Sequence, residues 1–156
     1  MTGTAPKPDG RQSATALAVQ RGVLRHLAAH GWVGITEFAL ASGRRADVLA
    51  IDGRGEIAII EIKSSLQDFR SDGKWPEYRA FCDRLLFAVP ADFPVEVLPQ
   101  DVGLLLADGF GAAQMREAPR HPLAPATRKA LTLRLARTAT SRLTALYDPA
   151  LLRQDL

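Results

Sequence analysis

The segment GEIAIIEIKSS, from Gly55 to Ser65, carries two opposite charges at the end of an apolar run. The sequence Ile-Ala-Ile-Ile over residues 57–60 predicts a buried strand. Side chains alternate along a strand, so Glu61 and Lys63 are expected on the same face. A carboxylate and an ammonium in such positions make chemical sense if a metal cation and a phosphate come between them.

Two short turns predict how this strand aligns with the strands before it. If residues 53–55 form a three-residue loop ending in glycine, Asp47 falls opposite Glu61. If residues 41–43 form a second such loop, Glu37 falls opposite Asp47. Opposite residues in a sheet lie about 5 Å apart. The sequence therefore predicts a row of three carboxylates across three adjacent strands.

Like charges placed directly opposite one another destabilise a sheet, so such a row requires a compensating charge. Hard oxygen ligands at this spacing suit Mg²⁺ or Mn²⁺, and Lys63 would add a positive charge beside the metal. The alternative interpretation is that the acids lie in solvent at strand ends and pair with Arg44 and Arg45.

The remaining sequence predicts the elements that position these side chains. Apolar spacing and turn residues predict helices over residues 13–29, from 65 to a kink near Pro76, over 76–83 and over 127–146. Strands are predicted over residues 32–40, 45–52, 56–63, 84–90 and 103–108, with a short one at 115–118. The third strand is apolar on both faces, which predicts an α/β fold with a mixed central sheet flanked by helices on both faces.

Composition narrows the class of protein. A length of 156 residues suits one domain, predicted over residues 13–156 after a loose Pro/Gly-rich arm over residues 1–12. Cys82 is the only cysteine, which excludes an intrachain disulfide and a Cys-based zinc site, and we predict it in the core. The chain has neither a long apolar span nor the apolar region of a signal peptide, which predicts a cytoplasmic protein that does not bind membranes. The net charge of +3 is a weak indication of a nucleic-acid partner.

The spacing of Asp47 and the motif Glu61-x-Lys63 resembles the signature of the PD-(D/E)xK nucleases. The core of that superfamily is a helix, a three-stranded meander, a helix and a further strand, which is the predicted order. Longer segments resemble the MmcB family of alphaproteobacterial DNA-repair proteins over about residues 14–145, namely GRRADVLAID, EIKSSLQDFRSDGKWPEYRAFCDRLLFAVP, GLLLADGFGA and LAPATRKALTLRLAR. The resemblance implies a restriction-endonuclease-like core of order αβββαβ.

The resemblance also implies roles for individual residues, with Mg²⁺ or Mn²⁺ as the cofactor. Asp47 and Glu61 match the metal-binding acids, and the backbone carbonyl of Ile62 matches a further ligand in such sites. Lys63 matches the lysine that orients or activates water, so Asp47, Glu61 and Lys63 are the catalytic candidates. Glu37 is an additional candidate ligand, because the predicted first helix contains no acid that would supply one.

This sequence departs from the signature at two places. Ala46 stands where the signature has proline, at a position with no chemical role. Lys74-x-x-x-Tyr78 resembles the Gln-x-x-x-Tyr element of some of these nucleases, but glutamine is absent and Pro76 falls inside it. The acids Asp68 and Asp72 either support the site or belong to a solvated face, and we favour the solvated face for Asp72.

Candidate DNA contacts are basic or hydrogen-bonding residues near the site and on the last helix. That helix is expected to dock through Leu131, Leu135, Ala139 and Leu143, which leaves its basic residues outside this stripe, and a merely solvated basic face is the alternative. The candidates are Arg44, Arg45, Ser64, Lys74, Tyr78, Lys129, Arg134 and Arg137. His26, His30 and His121 are read as surface or helix-end residues.

Two functions follow from these predictions. The first is a metal-dependent deoxyribonuclease that hydrolyses phosphodiester bonds in DNA repair. The second is a catalytically silent nuclease-like module that binds DNA or a repair-protein partner. The retained acids and lysine favour the first, and the oligomeric state stays open.

Overall fold

Residues 13–153 of the chain are described by a computed structural model, so the arm predicted over residues 1–12 lies outside the described part. The strands in this part are β1 Trp32–Ala39, β2 Arg45–Asp52, β3 Ile57–Ile62, β4 Arg84–Val89, β5 Gly103–Ala107 and β6 Ala112–Arg116. The α-helices are α1 Ala14–Ala29, α2 Leu66–Ser71 and α3 Pro125–Tyr147, and 3-10 helices occur at Trp75–Phe81, Val95–Val97 and Pro149–Arg153. The predicted order of elements is confirmed.

The strands form one six-stranded sheet in the order β1-β2-β3-β4-β5-β6. β3, β4 and β5 are parallel to one another, whereas β1–β2, β2–β3 and β5–β6 are antiparallel pairs. The prediction of a mixed sheet is therefore confirmed. The crossover from β3 to β4 carries α2 and the 3-10 helix, as a parallel connection requires a long segment.

Both faces of the sheet are covered, as the apolar pattern of β3 predicts. Ile57 and Ile59 of β3 pack in a core with Tyr78 of the 3-10 helix and Leu131 of α3. The alternate residues of β3 pack in a second core with Val19, Val23 and Leu27 of α1. Within residues 13–153, no helix is both long and apolar enough to cross a membrane.

Three predicted elements differ in detail from those of the structure. The last short strand begins at Ala112 and not at residue 115, because Asp108 accepts hydrogen bonds from the N–H groups of Phe110 and Gly111 and closes a tight turn. The segment predicted as a helix over residues 76–83 is a 3-10 helix. The helix that begins after Ser65 has only six residues.

The docking stripe predicted for α3 was also wrong. Residues four apart on a helix advance by about 40° around its axis, so a stripe with that spacing rotates away from the sheet. Leu131 is buried but Leu143, three steps later, is 52% exposed. The helix instead docks through residues spaced alternately by three and four, including Leu131, Leu135, Thr138, Arg142 and Ala145.

An ion pair with a buried carboxylate joins α3 to the end of the crossover between β3 and β4. Asp83, just before β4, is 1% exposed and accepts two hydrogen bonds from the Arg128 guanidinium of α3, at 2.5 and 2.7 Å. Its carboxylate also accepts the N–H groups of Ile57 and Leu123. Burial opposes the charged form, but these four donors outweigh it and lower the pKa of Asp83 to about 2.

We expect this pair to govern acid stability. The pKa of Asp83 is lower in the folded protein than its ordinary value of 3.8. The ionised carboxylate therefore adds to the free energy of unfolding above about pH 4, and this stabilisation is lost as the pH falls towards 2. The contribution is on the order of 2 kcal/mol. Asp83→Asn should lower the free energy of unfolding at pH 7 and flatten its decline below pH 4, measured by urea denaturation across a pH series.

Asp101→Asn is the matched control. Asp101 forms an ion pair with Arg79, but its side chain is 71% exposed and water screens the pair. If Asp101→Asn and Asp83→Asn change the unfolding free energy equally, the buried network does not stabilise the fold as inferred.

Candidate functional site

The register predicted from the two loops is confirmed. Val48 of β2 lies opposite Ile60 of β3, which places Asp47 level with Glu61. Both loops end in a glycine with a positive φ, 87° at Gly43 and 86° at Gly55, as three-residue hairpin loops require. The acids thus lie at the same level of the sheet, beyond the last regular pair of β2 and β3.

The expected regular alternation is interrupted at Glu37. This residue has a φ of 51°, the left-handed region that non-glycine residues seldom adopt. The strand pair Thr36–Val48 and the pair Phe38–Ala46 form on either side, but Glu37 and Asp47 do not pair between them. The side-chain pattern shifts by one residue there, so Phe38 packs in the same core as Ile35, three residues earlier. Glu37 therefore leaves the ladder between β1 and β2, although its charge remains close enough to add to the rise that burial causes in the pKa of Asp47.

Two arginines hold the irregular segment of β1. Arg45 forms an ion pair with the Glu37 carboxylate at 2.7 Å, which is the pairing of the alternative interpretation. Arg142 of α3 donates hydrogen bonds to the carbonyl oxygens of Thr36 and Glu37, the latter at 2.6 Å. Among residues 13–153, no group of three or more His, Cys, Asp or Glu side chains is arranged to hold a metal ion.

Asp47 and Glu61 each bridge the gap where β2 and β3 separate. The N–H of Asp47 donates to Oε1 of Glu61 at 3.1 Å, and the N–H of Ile62 donates to Oδ2 of Asp47 at 2.8 Å. The two carboxylates thus replace ladder hydrogen bonds between main chains. Because the strands separate here, each carboxylate reaches across to a main-chain N–H of the opposite strand. The two side chains therefore meet at the carboxyl end of β3.

The pair is strongly perturbed electrostatically. Burial and the nearby charge of Asp47 raise the pKa of Glu61 to about 9. Burial also raises the pKa of Asp47, opposed by the N–H of Ile62, by Glu61 and by Lys63. Two carboxylates so close do not both ionise readily, so in the absence of a cation the pair retains one proton at neutral pH.

Lys63 is held beside this pair by an acid that sequence reasoning assigned to solvent. Its side chain is 6% exposed, and its Nζ lies 2.7 Å from Oδ2 of Asp72. Burial opposes the ionisation of Asp72, but the hydrogen bond and charge of Lys63 outweigh it and lower the pKa of Asp72. The preference for a solvated face at Asp72 was wrong, because α2 is short enough for its C-cap residue to reach back to the end of β3.

The hydrogen-bonding candidates for DNA contact are largely engaged within the protein. Tyr78 is buried and donates its hydroxyl to the carbonyl of Arg45 at 2.9 Å, and Arg44 forms an ion pair with Glu77. Ser64 donates its N–H to the Asp68 carboxylate at 3.0 Å. These placements give the three residues structural roles, and their DNA contacts stay predictions.

The basic candidates differ from these three in exposure. Lys74, Lys129, Arg134 and Arg137 are all exposed. Arg134 and Arg137 line a cavity of about 430 Å³ between α3 and Ala41, at the turn that joins β1 and β2. The basic face of α3 and this hairpin turn are therefore neighbours, on the side of the sheet that carries Glu61.

Most of the chain matches a family of known proteins. A family model described as DNA repair protein MmcB-like matches residues 3–150. The chain belongs to the MmcB-like family of DNA repair proteins. Among solved structures, the SPO1766 protein of unknown function from Silicibacter pomeroyi is 46% identical, with a TM-score of 0.85 over 90% of this chain and 96% of that one. No curated protein matches the chain.

The carboxylate pair predicts an unusual dependence of stability on pH. The pKa of Glu61 is raised in the folded protein from 4.5 to about 9, so the folded state holds a proton that the unfolded state releases. In EDTA, the free energy of unfolding should therefore fall as the pH rises from about 5 to 9. Glu61→Gln keeps an oxygen for the N–H of Asp47 and should flatten this decline, adding more than about 1.4 kcal/mol at pH 9, the equivalent of one pKa unit.

Glu96→Gln serves as a control because Glu96 is an exposed glutamate of the 3-10 helix Val95–Val97. If the free energy of unfolding declines with pH as steeply in Glu61→Gln as in the wild type, the inference that Glu61 holds a proton in the folded state is contradicted.

Proposed function

We propose that this protein is a metal-dependent deoxyribonuclease of DNA repair, built on a restriction-endonuclease-like core. The observation that carries the proposal is the pair that Asp47, which is half-buried, and Glu61, which is buried, form at the carboxyl end of β3, with Lys63 fixed two residues after Glu61. Family membership supports a role in DNA repair, and the motif supports hydrolysis as the reaction.

The donor set fits a hard divalent cation. The buried Glu61 and the half-buried Asp47 both have raised pKa values, and a cation would neutralise the negative charge that they carry when ionised. Asp47, Glu61 and the backbone carbonyl of Ile62 would hold Mg²⁺ or Mn²⁺, since carboxylate and carbonyl oxygens are the ligands that these ions prefer. Such an ion polarises a phosphate oxygen and makes water a stronger nucleophile at neutral pH.

The remaining chemistry belongs to residues of the chain. Lys63 would orient the attacking water and stabilise the negative charge that develops on the phosphate. Asp72 fixes the position of the Lys63 ammonium through the 2.7 Å contact, so the charge is already in place before the substrate binds. Arg142 holds the irregular segment of β1, and through it the position of Glu37 beside Asp47.

The basic face of α3 would bind the phosphate backbone of DNA. This face is defined by Lys129, Arg134 and Arg137. These residues are exposed, and α3 lies on the side of the sheet that bears the carboxylate pair. The contact would be electrostatic and independent of sequence, because backbone phosphates present the same charge at every position.

A catalytically silent module that binds DNA or a repair-protein partner is the second candidate. The observation in its favour is that each site residue has a partner within the fold. Asp47 and Glu61 accept main-chain N–H groups, and Lys63 is paired with Asp72. Such residues would be retained for stability even in a protein that does not cut DNA.

Cleavage separates the two candidates. Purified protein should cut supercoiled or single-stranded DNA with Mg²⁺ or Mn²⁺ and not with EDTA, and Asp47→Asn or Lys63→Met should lower the rate by at least about 10²-fold. Asp72→Asn should lower the rate less, because Lys63 remains present but loses its fixed position. Gel assays under single-turnover conditions measure these rates.

Asp68→Asn is the matched control. Asp68 accepts hydrogen bonds from Ser64, whereas the side chain of Lys63 is paired with Asp72. Absence of metal-dependent cleavage on every substrate, with DNA binding retained in Asp47→Asn, would leave the silent module as the function.

The DNA-binding face has its own test. Lys129→Ala, Arg134→Ala and Arg137→Ala should each weaken DNA binding similarly for all sequences, and each should reduce the slope of log affinity against log salt by about 0.9. Arg21→Ala is the control, because Arg21 is exposed on α1, across the sheet from α3. Fluorescence anisotropy over a salt series measures the slope, and equal slopes for all four variants would contradict this face.

A further inference from the structure

Two histidines meet on α1, on the side of the sheet away from Glu61. His26 and His30 are four residues apart, which places them on the same face of the helix one turn apart. Their ring centroids are 4.2 Å apart with an interplanar angle of 32°. The reading of each histidine as a separate surface or helix-end residue overlooked this spacing.

The hydrogen bonds of the two rings determine their tautomers. Nδ1 of His26 lies 3.1 Å from the carbonyl oxygen of Ala112, and Nδ1 of His30 lies 2.7 Å from the carbonyl oxygen of His26. A carbonyl oxygen only accepts, so each Nδ1 carries the proton in the neutral ring. Each Nε2 is then the nitrogen with an available lone pair, and the ring orientation is fixed as in metal-ligating histidines.

The local environment favours the neutral form that binds metals. Burial and the proximity of His30 lower the pKa of His26, against the effect of the Ala112 carbonyl. Both rings line a cavity of about 300 Å³ together with Trp32, Gln114 and Glu117. The cavity provides room for water molecules or a small ligand beside the histidines.

We propose that His26 and His30 form a binding site for a transition-metal ion such as Zn²⁺, Ni²⁺ or Cu²⁺. The Nε2 atoms of the two imidazoles are the protein ligands, and water fills the remaining positions. Imidazole nitrogen selects these borderline metals over Mg²⁺, so the site differs in chemistry from the carboxylate pair.

The proposed site lies at the C-terminal end of α1. His30 is the C-cap residue of this helix, and His26 is bonded to Ala112 at the start of β6. A metal bound to both rings would therefore fix the last turn of the helix, whose His26 ring is already hydrogen-bonded to the edge of the sheet. It stabilises the folded chain because the unfolded chain does not hold the two rings in this arrangement.

Titration of the full chain with ZnCl₂ tests the proposal, after treatment with EDTA and desalting. Calorimetry should show that Zn²⁺ binding weakens by about tenfold or more in His30→Gln and in His26→Gln, whereas His121→Gln, which alters the third histidine, binds as the wild type does. In ¹H–¹³C spectra the imidazole signals of His26 and His30 should shift with Zn²⁺ and not with Mg²⁺.

His30→Gln is the decisive variant, because His30 is exposed and its replacement is expected to leave the fold intact. Zn²⁺ should raise the melting temperature of the wild type and of His121→Gln, but not that of His30→Gln. Equal Zn²⁺ affinity in the wild type and both variants, or imidazole signals unmoved by Zn²⁺, would overturn the proposal. Neither result depends on nuclease activity.

Discussion

Two hydrogen bonds between β2 and β3, from the N–H of Asp47 to the Glu61 carboxylate and from the N–H of Ile62 to the Asp47 carboxylate, are the interaction around which the proposed active site is organised. β2 and β3 separate at this level, and each carboxylate accepts a main-chain N–H from the opposite strand. Two carboxyl groups, Glu61 buried and Asp47 half-buried, are thereby placed side by side, where burial and the nearby charge of Asp47 raise the pKa of Glu61 to about 9. A site of this kind lowers the stability of the metal-free protein, and the same repulsion makes it bind positive charge strongly.

The neighbouring elements can be understood as supports for this strained pair. Asp72 at the end of α2 holds Lys63 in place, and Arg142 of α3 binds the carbonyl oxygens of the irregular segment of β1. The ion pair of Asp83 and Arg128 fixes the start of α3 against the sheet. The helix that carries the exposed basic face is thus anchored near both ends by arginines, through Arg128 to the buried Asp83 and through Arg142 to the carbonyl oxygens of β1.

Much of this arrangement could be predicted because it depends on local patterns. The apolar residues of β3 predicted a strand covered on both faces, and the glycines that end the two loops predicted the register of Asp47 with Glu61. Local patterns failed where a long-range contact decides the outcome. The left-handed backbone of Glu37 depends on Arg142, which is distant in sequence, and the role of Asp72 depends on how α2 folds back towards β3.

The sequence by itself determined the order of the elements, the mixed sheet and the level at which the two acids of β2 and β3 meet. These follow from side-chain periodicity and loop length, which act over a few residues. Only the tertiary structure decided that Glu37 leaves the strand ladder, that Asp72 holds Lys63, and that α3 docks through a stripe other than the one that its leucine spacing predicted. Each of these depends on contacts between segments far apart in the chain, for which a single sequence contains no local signal.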